Sequence, residues 1–145
     1  MKEELKLSNQ LCFPLYVASK ELISKYTPVL KEYDLTYTQY IVLLALFEQK
    51  EMNVTTLGET LYLDSGTLSP LLKKLENKGF LHRFRDKNDE RNVKVSLTKE
   101  GEKLEEKLSD VPSKIAKCLN LTLDEEKTLY TLLYKTLNTM EEPKL

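Results

Sequence analysis

Cys12 and Cys118 are the two thiols of this 145-residue chain. A cysteine reacts with an oxidant only as thiolate, so it needs a helix start or nearby hydrogen-bond donors to lower its pKa, and a path for the oxidant. Cys12 lies in the first turns of a segment with helical periodicity. With a single histidine, His82, the two cysteines offer no zinc-site spacing, and they are too few for a disulfide scaffold. They matter as thiols or as small buried hydrophobes. The candidate donors are tyrosines, of which the chain has eight. Tyr26 follows Cys12 by 14 residues, about 21 Å along one helix at 1.5 Å per residue, so it cannot touch the thiol of its own helix. Those 14 residues make nearly four turns, which leaves Cys12 and Tyr26 on one face. Two such helices packed antiparallel across a dimer axis bring Tyr26 of one subunit to Cys12 of the other, with Tyr37 as a further donor. Both tyrosines equally suit an ordinary amphipathic core.

A second chemistry is written in the charge. The chain carries −1 overall, yet residues 65–95 hold Lys73, Lys74, Lys78, Arg83, Arg85, Lys87, Arg91 and Lys94 against four acids, a local +4. DNA recognition needs cations against phosphates and short polar or small side chains against base edges. Thr67, Ser69, Pro70 and Lys73 occupy the first turns of a potential reading helix, and Lys74 and Lys78 are placed to reach phosphates. Arg91, with Asp89 to fix its geometry, is placed at a hairpin tip to enter a minor groove.

These residues need elements to hold them. Apolar positions at helical spacing (Leu11, Leu15, Ala18, Leu22, Ile23, Tyr26, Leu30) predict a helix over residues 8–31. Pro14 would cost about 3 kcal/mol inside it unless the regular helix starts near Cys12. Thr36 reads as the N-cap of a central buried helix running to about Gln49. A short helix from Asn53 with Leu57 and Leu61 inward follows, then a second from about Ser65 to Lys78 burying Leu68, Leu71, Leu72 and Leu75 and ending at Gly79. The period then changes to alternation, Leu81, Arg83, Arg85 out and Val93, Val95, Leu97 back, which predicts a two-stranded hairpin. A hairpin directly after a reading helix is a wing. Thr98 caps a long helix that Pro112 interrupts, and Thr122 with Glu125 forms a capping box for a last helix to about Met140. Leu104, Leu108, Ile115, Leu119, Leu129, Leu132, Leu133 and Leu137 exceed what one winged-helix lobe can bury, and a helical dimer interface is their simplest use.

The segments QLCFPLYVASKE, KEYDLTYTQYIVLL, YLDSGTLSPLLKKLE and RDKNDERNVKVSLT strongly resemble the MarR family of regulators, and within it the OhrR group of organic-hydroperoxide sensors. The resemblance is specific from about Leu7 to Leu97 and continues more weakly to the C-terminus. It implies a mainly α-helical winged helix-turn-helix repressor that acts as a homodimer on pseudo-palindromic double-stranded operator DNA. In that pattern Cys12 is the reactive thiol, Tyr26 and Tyr37 are the sensing tyrosines, and Asp89 and Arg91 are the wing pair. It further implies that oxidised Cys12 joins a low-molecular-weight thiol or forms a disulfide with a late cysteine of the other subunit, a place that Cys118 can fill. Pro14 departs from the aliphatic residue of that pattern.

The expected organisation is one domain over residues 1–145, with 8–31 and 98–140 mainly dimerisation helices and 53–97 the DNA-binding lobe. No apolar run reaches the roughly 18 residues of a membrane span, and the start MKEELKLSNQ has no export pattern, so a cytoplasmic protein without membrane partner, metal or cofactor is expected. A repressor released by a phenolic ligand shares this fold; Cys12→Ser separates it from a thiol sensor. A thiol peroxidase is disfavoured, since no strand–helix alternation of a thioredoxin-like fold is visible.

Overall fold

Leu43, Leu46, Leu57, Leu68, Leu72, Leu75, Leu81 and Val95 are all buried and form one core drawn from the central half of the chain. A computed structural model describes residues 2–89 and 91–140. Among these, two short 3-10 turns (Glu3–Leu5 and Leu7–Asn9) precede α1 (Cys12–Lys31), α2 (Tyr37–Gln49), β1 (Glu51–Asn53), α3 (Val54–Leu61), α4 (Ser65–Asn77), β2 (Leu81–Arg85), β3 (Val93–Leu97), α5 (Lys99–Lys107), α6 (Val111–Leu119) and α7 (Leu123–Met140).

The predicted first helix is shortened, because α1 starts at Cys12 rather than at residue 8. Pro14 then falls in the first turn, where a backbone N–H has no intrahelical partner to lose. α2 is the central helix: Thr36 and Gln39 form a reciprocal capping box, and Tyr40, Val42, Leu43 and Leu46 are buried. α3 and α4 form the helix-turn-helix, capped by Asn53 and Asp64. α4 ends as predicted. Phe80 N–H donates to the Leu75 carbonyl (3.1 Å) and Gly79 N–H to that of Glu76 (2.9 Å), with Gly79 at φ +76°, a left-handed turn that a glycine takes without penalty.

The hairpin register is Leu81 opposite Leu97, Arg83 opposite Val95 and Arg85 opposite Val93. The expected two-stranded ribbon is in fact a three-stranded antiparallel sheet in the order β1-β3-β2, with Met52 opposite Val95. β1 is only three residues long, too short to show alternation, and its pairing with β3 is visible only in three dimensions. After Thr98 the expected long helix is two: the chain turns at Leu108–Asp110 and Pro112 sits at the start of α6. Leu104, Leu108 and Ile115, expected on a dimer face, are buried in the protomer's own core. Leu119, Leu129 and Leu132 remain exposed together with Leu11, Phe13, Leu15, Tyr16, Ile23 and Tyr130. Of the 20 residues of α1 only Leu30 is buried, and of α7 none.

Candidate nucleic-acid interface and thiol site

α4 sorts its side chains by face. The four leucines turn inward, which leaves Thr67, Ser69, Pro70, Lys73 and Lys74 exposed. The Asp64 carboxylate accepts from Thr67 N–H (2.9 Å) and from its hydroxyl (3.1 Å), bonds that hold the Asp64 carboxyl below its usual range. Lys78, expected to reach phosphate, has its amine on the Asp34 carboxylate (Nζ to Oδ2 2.9 Å) and donates to the Asp34 carbonyl, which joins the end of α4 to the α1–α2 turn.

Two ionic clusters fix the wing, one to α4 and one to β1. The Glu76 carboxylate accepts from Arg83 N–H (2.9 Å), Nε (3.1 Å) and Nη2 (2.7 Å), which ties α4 to β2 and lowers the Glu76 pKa. Lys94 bridges Glu51 of β1 and Asp86 at the wing base, 3.0 Å from each. Beyond them Arg91 extends into solvent, its side chain 94 % exposed, with Nε 3.5 Å from Asp89 Oδ1. Asp89 also accepts from Arg91 N–H (3.1 Å) and Asn92 Nδ2 (3.1 Å), so it shapes the tip. The surface therefore offers the exposed cations Lys73 and Lys74, small groups at Ser69 and Pro70, and a projecting guanidinium.

The thiol residues divide into two groups. Cys12 is exposed at the first position of α1, beside Leu15, Tyr16, Ser19 and Lys20. Tyr26 and Tyr37 are brought together, their ring centroids 4.7 Å apart at 55°. Helix geometry puts Tyr26 about 21 Å from Cys12 of the same chain, counted at 1.5 Å per residue. Burial raises the pKa of Tyr26, with Tyr37 adding to it, and burial raises that of Tyr37. Both phenols therefore keep their protons and can donate to a thiolate. Sequence reasoning missed Tyr40, three residues on from Tyr37 on the same face of α2, a spacing that could have revealed it. It is buried 5.6 Å from the Tyr26 ring, and burial first, then Tyr26 and Tyr37, pushes its pKa up to about 12. Cys118, in the last turn of α6, is an exposed free thiol with Sγ 3.7 Å from the Lys114 carbonyl. Among the described residues no cluster of His, Cys, Asp and Glu could hold a metal ion, and no helix is long and apolar enough to cross a membrane.

Comparison with known proteins bears on both halves. Residues 24–108 match the family described as transcriptional regulator SarA/Rot. The chain is 50 % identical over 127 residues to the HTH-type transcriptional regulator SarZ of Staphylococcus epidermidis, covering 88 % of this chain and 86 % of that one. The structure of reduced AbfR bound to DNA superposes with a TM-score of 0.80 at 36 % identity, over 97 % of this chain and 100 % of AbfR. Overoxidised AbfR bound to DNA (TM-score 0.78, 36 % identity, 95 % and 97 % covered) and disulfide-formed AbfR (0.70, 34 %, 97 % and 96 %) are also similar. The winged-helix architecture of these regulators is that of this chain.

Proposed function

Because the chain belongs to the SarA/Rot family of transcriptional regulators, we propose that it is a homodimeric, thiol-switched repressor in which Cys12 of one subunit is held by Tyr26 and Tyr37 of the other. It is a DNA-binding regulator and not an enzyme. One observation carries the redox reading: two protonated phenols, Tyr26 of α1 and Tyr37 at the start of α2, have ring centroids 4.7 Å apart, and Tyr26 lies on the helix that begins with an exposed cysteine but out of that cysteine's own reach. The exposed apolar faces of α1 and α7, which nothing in the protomer covers, support a second copy as the partner that closes this gap. We place the protein in the cytoplasm.

On this reading the reduced dimer holds its two α4 helices one major-groove turn apart, about 34 Å. Ser69, Pro70 and Lys73 face base edges, Thr67 meets them as an acceptor, Lys74 meets phosphate, and Arg91 enters the minor groove beside Asp89. An organic hydroperoxide reacts with the Cys12 thiolate. Sulfur takes the distal oxygen, the O–O bond breaks, and the alcohol leaves with a proton, giving sulfenic acid. The partner's Cys118 thiol then displaces hydroxide, which departs as water, and an intersubunit disulfide forms; a low-molecular-weight thiol can take its place. Cys12 thereby leaves the two phenols and the winged lobes rotate out of register. That AbfR is known in an overoxidised form bound to DNA and in a disulfide form supports placing release at the disulfide step. Gel shifts with and without cumene hydroperoxide test this. Wild type should release DNA, whereas Cys12→Ser and Cys118→Ser should stay bound; release by Cys12→Ser would overturn the thiol switch.

A second reading, release by a hydrophobic ligand, rests on an apolar cavity of about 350 Å³ lined by Leu22, Tyr26, Ile115, Leu119, Leu129 and Tyr130. Ligand-driven release that survives Cys12→Ser would favour it.

A further inference from the structure

The α1–α2 turn carries the two sensing tyrosines on either side of it, Tyr26 in α1 and Tyr37 at the start of α2, and their ring contact closes it at the base. Asp34 at its tip takes a left-handed conformation, φ 52°. Its carbonyl and its carboxylate both receive the Lys78 amine, the latter at 2.9 Å. Lys78 is the C-cap of α4, one residue before the Gly79 turn into the wing. On its other side the turn is held by Tyr33, whose hydroxyl donates to the Lys107 carbonyl at the end of α5 (3.0 Å). Beneath the Asp34–Lys78 contact lies a cleft of about 550 Å³, bordered by Thr27 and Lys31 of α1, Gln39 of α2, and Lys74 and Asn77 of α4. The bond spans an open space, and an open space can change width where packed side chains cannot.

We infer that Asp34 and Lys78 are positioning residues, a strut through which the tyrosine-bearing turn sets the position of the reading helix and so couples the state of Cys12 to DNA affinity. This rests on the thiol reading above. Neither residue touches the thiol. An exposed ion pair adds little to global stability, so the strut can be made and broken between two folded arrangements without unfolding. The left-handed backbone of Asp34 makes the assignment specific, because it presents carbonyl and carboxylate of one residue to a single ammonium.

The test uses the full-length dimer and a DNA duplex recovered by the reduced wild type from a random-sequence pool. Oxidation by cumene hydroperoxide should weaken wild-type binding by at least about tenfold, within the usual span of coupling between sites. Asp34→Asn removes the charge while asparagine tolerates the left-handed backbone. It should form the Cys12 disulfide at the wild-type rate, yet lose less than about threefold in affinity on oxidation, a decoupling that a merely structural role does not produce. Lys78→Arg, which keeps a donor, should retain the response, and Asp34→Asn with Lys78→Met should be no worse than Asp34→Asn alone. In the reduced protein, hydrogen exchange over residues 33–36 and 77–80 should accelerate together in Asp34→Asn. A wild-type oxidation response in Asp34→Asn overturns the strut and leaves the thiol reading intact. If wild type itself does not respond, the thiol reading fails; the strut is then judged on exchange, and unchanged protection of both segments overturns it too.

Discussion

Tyr26 contacts two other phenols, with ring centroids 4.7 Å from Tyr37 and 5.6 Å from Tyr40, and in the proposed switch these contacts fix the direction in which its hydroxyl donates. Tyr26→Phe and Tyr37→Phe keep the rings and remove one donor each. In the proposed switch each should slow the oxidation of Cys12 at neutral pH by up to about tenfold, read from the rate of thiol loss under cumene hydroperoxide. At the wing, Arg91→Ala should weaken DNA binding and flatten the dependence of log affinity on log salt by about 0.9 for each phosphate that the guanidinium neutralises. An unchanged salt slope would remove Arg91 from the interface. The Glu76 carboxyl sits below 4.5 because Arg83 donates to it. A depressed folded-state pKa means stability that is present above the unfolded value of 4.5 and is lost as pH falls through the lower folded value. Acid titration of wild type should show that loss below about pH 4.5, and Glu76→Gln should flatten it.

Gly101 shows what a single element boundary demands. Thr98 caps α5 by accepting from Gly101 N–H (3.0 Å) while donating to the Gly79 carbonyl (2.6 Å), so the start of α5 is stitched to the turn between reading helix and wing. A Cβ on Gly101 would lie 1.9 Å from the Phe80 carbonyl oxygen. Gly101→Ala should therefore force these backbones apart and destabilise by about 1–3 kcal/mol in urea unfolding. The elements legible in the sequence are those with a strong period or a cap: α2 with Thr36, α4 with its leucines and Gly79, and the hairpin with its alternation. The features that escape such a reading have a common cause. β1 is defined by a partner more than 40 residues away in β3, and the contact of Lys78 with Asp34 joins residues 44 apart in the chain. Leu104, Leu108 and Ile115 have the helical spacing of an interface, and only the packing of α5 and α6 against the lobe shows them to be core.

The whole molecule is lopsided. Its central half buries a continuous core, while α1 and α7 leave Tyr16 62 % and Leu123 74 % exposed and present a broad apolar face. Leu129→Asp on that face should give monomers in sedimentation and lose operator affinity, because two half-sites can no longer be read together, while the lobe keeps its fold. A dimer with unchanged DNA binding would argue for a different interface. The sparse burial of α1 has a further consequence. If that helix is covered only by a second copy, its stability follows mass action, and its melting temperature should rise with protein concentration. The same law governs the chemistry. In the proposed switch, a Cys12 below the dissociation constant of the dimer has no phenols to meet, and the rate of the answer to peroxide then becomes a function of the regulator's own copy number.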